Sequence, residues 1–164
     1  MTLPRNTVPL FAKWHLNSAT AAHAAQWATD ALEDGFDSPA VRELAGLDLD
    51  PLASVFEAEH VLLQALRELS IPFPEKATAL RAYAVFLAGE ISAGRLDPVA
   101  GVRKVHQCVV SPLNHPEDVM PWCYLDDALH PTRLTPLDGE ELNRAILDWC
   151  AECRATADGG PNES

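Results

Sequence analysis

S-I-P-F-P-E-K-A-T-A-L-R-A-Y-A-V-F-L-A-G-E-I-S-A-G-R-L-D-P-V-A-G-V-R-K-V, from Ser70 to Val105, carries the signals that decide the fold class. Pro74 opens a helix predicted to run through Ala93, where Gly94 stops it. Asp97 and Pro98 then supply an N-cap and a first-turn proline for the next helix, which is predicted to end before Ser111 and Pro112. Leu80, Tyr83, Ala84, Leu87 and Ile91 recur at helical spacing on one side of the first helix, with Val85 on the other. Val99, Val102, Val109 and Val110 line one side of the second, and His106 falls among them.

The same punctuation extends in both directions. An Ala-rich helix starts from Ser18 as N-cap and stops at Gly35, with Ala21, Ala24, Ala25, Ala28 and Leu32 on one face. Ser38 and Pro39 open a short helix that Gly46 ends, and Asp50 and Pro51 open a longer one running to about Ser70. Its predicted inward stripe is Leu52, Val55, Phe56, Leu62, Leu63 and Leu66, with Glu59 in the middle and Val61 opposite. Asp138 and Glu141 form a capping box for a last helix to about Thr156. That helix turns Leu142, Ala145, Ile146, Trp149 and Cys153 inward, with Cys150 at the border. The prolines between Ser111 and Asp138 leave a long loop with at most one short helix, near Pro121 to Leu129. Pro4 and Pro9 predict an extended N-terminal arm before Ser18. The expectation is an all-α fold, an irregular or orthogonal bundle of about six helices with that arm and one long loop. A single domain spans residues 1–157 and a flexible tail spans 158–164.

Composition narrows the function classes. The chain has 164 residues, 48% of them hydrophobic, and 24 Asp and Glu against 12 Lys and Arg give a formal net charge of −12. That charge repels nucleic-acid phosphates and anionic lipid headgroups. No apolar run approaches the ~20 residues that cross a bilayer, and no secretory signal is evident, so a cytoplasmic location is expected. Cys108, Cys123, Cys150 and Cys153 are expected to be free thiols.

Three segments resemble pieces of small bacterial helical proteins that have no established activity. They are D-S-P-A-V-R-E-L-A-G (Asp37 to Gly46), L-R-E-L-S-I-P-F-P (Leu66 to Pro74) and E-I-S-A-G-R-L-D-P-V-A-G-V-R (Glu90 to Arg103). The resemblance covers about the middle third of the chain and implies a helical fold and a bacterial origin, not a reaction. The residues also serve structure directly: Gly94 suits a helix stop, Gly101 close packing, and Asp97 with Pro98 a cap.

Four constellations could carry chemistry. Glu57 and His60 are spaced as in the Glu-x-x-His motif of di-iron bundles, but a second copy is missing, with only Glu90, His23 and Glu33 as loose additions. A solvated helix face explains Glu57 and His60 equally. Glu59 and His106 each interrupt an apolar stripe and are candidates for a buried polar pair, with each other or through Arg81 or Arg103 for Glu59. Such a pair would be a general base or a core fastening. Cys150-x-x-Cys153 has zinc-ligand spacing inside a regular helix, with Cys123, Cys108, His115 and His130 as scattered further ligands; buried thiols are the plainer reading.

The segment Asn114 to Pro131 places Met120, Trp122 and Tyr124 among acids, and Trp122, Tyr124, Asp126 and Asp127 are the candidate interaction residues. Met120, Trp122 and Leu125 would equally pin the loop to the core. No nucleophile elbow, phosphate loop, dinucleotide fingerprint or His-Glu-x-x-His is present. No catalytic or cofactor-binding residue is identified and no cofactor is expected. The function expected is non-catalytic interaction with another protein of basic character, in the manner of an immunity or antitoxin component, with no nucleic acid and no membrane. The alternative is a metal-binding or hydrolytic bundle using Glu57 and His60. Oligomeric state is left open.

Overall fold

Side-chain caps set where the helices begin. Ser38 accepts the Val41 amide, Ser54 the Glu57 amide and Asp97 the Ala100 amide, each satisfying a donor that a helix N-terminus leaves without an internal partner. The computed structural model describes residues 2–47, 54–129 and 139–158. Asp50 and Pro51 as a helix start, Leu52, His130, Pro131, the Asp138 cap and residues 159–164 of the expected tail lie outside the described residues. Within them the architecture is all-helical, in eight α-helices instead of about six.

These are α1 (Thr7–His15), α2 (Ala21–Glu33), α3 (Pro39–Gly46), α4 (Val55–Glu68), α5 (Lys76–Ser92), α6 (Pro98–Val105), α7 (Met120–Ala128) and α8 (Gly139–Asp158). A π-helical turn, His106–Val110, follows α6, and a 3₁₀ turn, Glu117–Val119, precedes α7. The two helices beyond the expected six are α7, the short helix allowed in the long loop, and α1. The chain divides into two compact units, Met1–Ala79 and Leu80–Ser164. No helix among the described residues is long and apolar enough to cross a membrane.

Helix α1 replaces the expected extended arm. Pro9 is its third residue, a first-turn position whose amide has no intrahelical acceptor, so the proline costs nothing there. Asn6 at the N-cap is left-handed, with φ 61°. A polar network then fastens the start of α1 to the end of α2. The buried Thr7 hydroxyl donates to the Pro4 carbonyl at 2.7 Å and accepts from Trp27 Nε1 at 2.9 Å. Asn6 Nδ2 donates to Asp30 Oδ2 at 2.7 Å, and Arg5 bridges to Glu33 and Asp34.

The cap of α2 is Thr20, two residues past the expected Ser18. His23 explains the shift: its amide donates to Thr20 Oγ1 and its Nδ1 accepts the Thr20 amide, closing a capping box. Gly35, with φ 87°, ends the region as expected. The first unit's core is built on alanine. Ala24, Ala25, Ala28 and Ala31 of α2, Ala40 of α3 and Ala58 and Ala65 of α4 are fully buried, which lets α2 pack closely on α3 and α4.

This close packing also rotates α4 relative to its predicted stripe. Its buried residues are Ala58, Val61, Leu62, Ala65 and Leu66, while Phe56 is 84% exposed and Val55 is also exposed.

In the second unit Leu80, Tyr83, Ala84, Leu87 and Ile91 of α5 are buried as predicted, joined by Ala88. Gly94 takes φ 70° at the stop after α5. Gly101 of α6 lies so close to α5 that a Cβ there would fall 2.5 Å from Ile91 Cδ1. On α8 the fully buried cysteine is Cys150, placed at the border by the sequence pattern, and Cys153 is half-buried.

Candidate functional site

The second unit contains the irregular backbone that positions reactive side chains. From His106 to Val110 the helix widens by one residue per turn, a form that is rare and concentrates at functional sites. Ser111 and Leu113 continue the descent, their amides donating to the His106 and Val109 carbonyls. Asn114 and His115 are then both left-handed, with φ 64° and 58°, and the His115 amide donates to the Val110 carbonyl at 3.0 Å. This reversal sets the His115 ring 5.9 Å from that of His106.

Helix α7 packs against the π-helical turn and α6. It contributes Cys123 and, one turn later, Asp126. Asp126 Oδ2 lies 3.4 Å from His106 Nδ1, with side chains 13% and 26% exposed respectively. The ligand atoms of His106, His115 and Cys123 lie within 4.8 Å of one another. Burial pushes the Cys123 thiol up, and the negative charges of Asp127 and Asp126 push it further.

On the other side of α7, Trp122 and Trp149 meet edge-on, with ring centroids 6.4 Å apart. They help wall a mostly apolar groove of about 300 Å³ that Ala84, Val85, Val119 and Cys153 also line. At its rim Arg81 grips Asp118 through two hydrogen bonds, and the guanidinium holds that carboxyl below the usual carboxylate range. Trp149 Nε1 is buried and has no hydrogen-bond partner among the described residues. Burial raises the Cys153 thiol against an opposing hydrogen bond with Trp122. Burial, then the neighbouring Cys153, raises Cys150 to about 11.

All four cysteines are free and all four are shifted upward, Cys108 also by burial. An upward shift disfavours the thiolate, the form that acts as a nucleophile. The chain matches no protein-family model, no curated protein and no solved structure. The chemistry of its own residues therefore carries the functional argument.

The structure brings together residues that the sequence pattern leaves apart. Glu57 and His60 are both exposed on α4, and among the described residues they belong to no three-ligand group. Glu59 is half-buried in the first unit. His106 is in the second, where Asp126 is its carboxylate partner. Arg81, offered as a partner for Glu59, bonds Asp118. Trp122 is 1% exposed and belongs to the core, whereas Tyr124 is 57% exposed and Asp127 is exposed beside it.

His106 and Asp126 were each singled out in the sequence, in different roles. His115 and Cys123 stood only among scattered ligands around Cys150 and Cys153. Their convergence depends on the wide turn and on two left-handed residues, and hydrophobic periodicity carries no signal for either.

Proposed function

We propose that the chain is a non-catalytic cytoplasmic interaction protein that holds a basic protein partner, seating an apolar side chain of that partner in the groove beside Trp122 and Trp149. The groove itself carries this reading. At about 300 Å³ the groove lies at the lower end of the roughly 300–1,000 Å³ of small-molecule pockets, room enough for one apolar side chain. Among the described residues its lining offers no unpaired carboxylate: Asp118 is bound to Arg81, and burial raises the Cys153 thiol. Aromatic walls around a small desolvated cleft are the setting in which interface anchors contribute most. The net charge of −12 favours a basic partner and disfavours nucleic acid or an anionic membrane. An immunity or antitoxin component would have this character.

The test is capture by the tagged full chain from the cells that encode it, compared with capture by Val85→Glu. Val85 is half-buried at the groove wall, so the substitution introduces a charge into the cleft without emptying the core. The expected result is a stoichiometric basic protein that is retained at low salt, weakened by added salt and absent with Val85→Glu. Equal capture by the variant, or no stoichiometric partner, would overturn the reading.

A further inference from the structure

His106 on the π-helical turn, His115 after the reversal and Cys123 on α7 bring three metal-ligating groups together from separate segments. Around tetrahedral zinc, with Zn–N of about 2.0–2.1 Å and Zn–S of about 2.3 Å, donor atoms sit roughly 3.3–3.6 Å apart. The observed separations, all within 4.8 Å, close to that geometry by small side-chain rotations. The exposed His115 and half-buried Cys123 have room to make them.

The backbone is bent to produce this convergence. Left-handed conformation is uncommon for residues other than glycine, though asparagine and histidine enter it more readily than most, and Asn114 and His115 adopt it in succession. Such outliers persist where surrounding contacts hold them, as the bond from the His115 amide to Val110 does here. Asp126 faces His106 in the manner of the carboxylates that orient metal-binding imidazoles and raise their basicity.

We propose that His106, His115 and Cys123 bind one zinc ion, with Asp126 as the positioning residue for His106 and the fourth coordination position open to water or to an external donor. Two imidazoles and a thiolate match zinc, whereas magnesium and calcium take oxygen ligands. Binding converts the Cys123 thiol to a zinc-bound thiolate and releases its proton to solvent. The site is independent of the groove and stands or falls separately from the interaction reading.

Cobalt(II) titration of the reduced, metal-stripped full chain tests the proposal. The expected spectrum has thiolate-to-cobalt charge-transfer absorption and tetrahedral visible bands, saturates at one ion per chain and is abolished by equimolar zinc. Cys123→Ser removes the charge-transfer band, and His115→Asn, which tolerates the left-handed backbone at an exposed position, weakens binding by roughly 100-fold. Asp126→Asn weakens it by about tenfold, while Cys108→Ser and Cys153→Ser bind as the parent does. Absence of the charge-transfer band, its survival in Cys123→Ser, or undiminished affinity in His115→Asn would overturn the site.

Discussion

The two compact units handle their polar and irregular positions in opposite ways. In Met1–Ala79 each unusual feature ends in a local bond: Asn6 reaches Asp30, Thr7 joins Pro4 to Trp27, and Thr20 closes a box with His23. In Leu80–Ser164 the unusual features converge on possible ligands instead. The π-helical turn and the Asn114–His115 reversal bring two imidazoles and a thiol together, and Trp149 keeps a buried donor unpaired among the described residues. Irregular backbone that satisfies its own groups is scaffold. Irregular backbone that gathers metal-ligating side chains is where function is to be sought.

The largest effect expected from challenging this contrast is at Trp122. Its ring is core, so Trp122→Ala should destabilise the fold by about 3–5 kcal/mol, while Tyr124→Ala, two residues on and on the opposite face of α7, should change it by less than about 0.5 kcal/mol. Urea unfolding of the two variants measures both. Comparable losses would show that the exposed side of α7 is packed in solution.

Gly101→Ala comes next. The added methyl meets Ile91 Cδ1 and Cγ1 in a buried α5–α6 contact, and overpacking of this kind costs about 1–3 kcal/mol. A neutral result would mean that α6 moves away from α5 freely.

A matched pair of tryptophans sharpens the comparison directly. Trp27→Phe breaks the bond to the buried Thr7 hydroxyl and should cost about 1–3 kcal/mol beyond the lost volume. Trp149→Phe discards a donor without a partner among the described residues, so relief of that penalty offsets the lost volume and the net change should be near zero. Equal losses would remove the distinction between the bonded indole of Trp27 and the indole of Trp149, which has no partner among the described residues.

The smallest effect concerns pH. Burial, aided by the charge of Lys13, lowers the His23 pKa below the usual histidine value. A group whose folded value is depressed contributes stability above its unfolded value and loses that contribution as pH falls through the folded one. Neutral His23 is also the form that accepts the Thr20 amide. Stability of the parent relative to His23→Gln, whose glutamine also fits the capping box, should therefore decline as pH drops below the histidine range. A difference that is flat with pH would show that the box survives protonation.

The proline signals explain how much of this was legible in the sequence. Ser38 with Pro39 and Asp97 with Pro98 cap helices where the pattern placed them, and the α5 stripe is buried as read. Helix α1 is hidden in the sequence because Pro9 reads as a breaker, although in the first turn its missing amide has nothing to lose. The face of α4 is hidden because Phe56 and Val55 exceed Ala58 and Ala65 in hydrophobicity, whereas close helix contact selects for small size. The site was half legible. His106 stood out by interrupting valines, but an inserted residue in a helical turn shifts each later side chain, so His115 and Cys123 could not be placed beside it by counting.

Hydrogen exchange of the reduced full chain, followed with and without one equivalent of zinc, tests most directly the claim that the second unit carries the binding chemistry and the first is scaffold. The account predicts slowed exchange concentrated between His106 and Ala128, with α1 to α4 unchanged. Protection appearing in α1 to α4, or no change anywhere at saturating zinc, would contradict it.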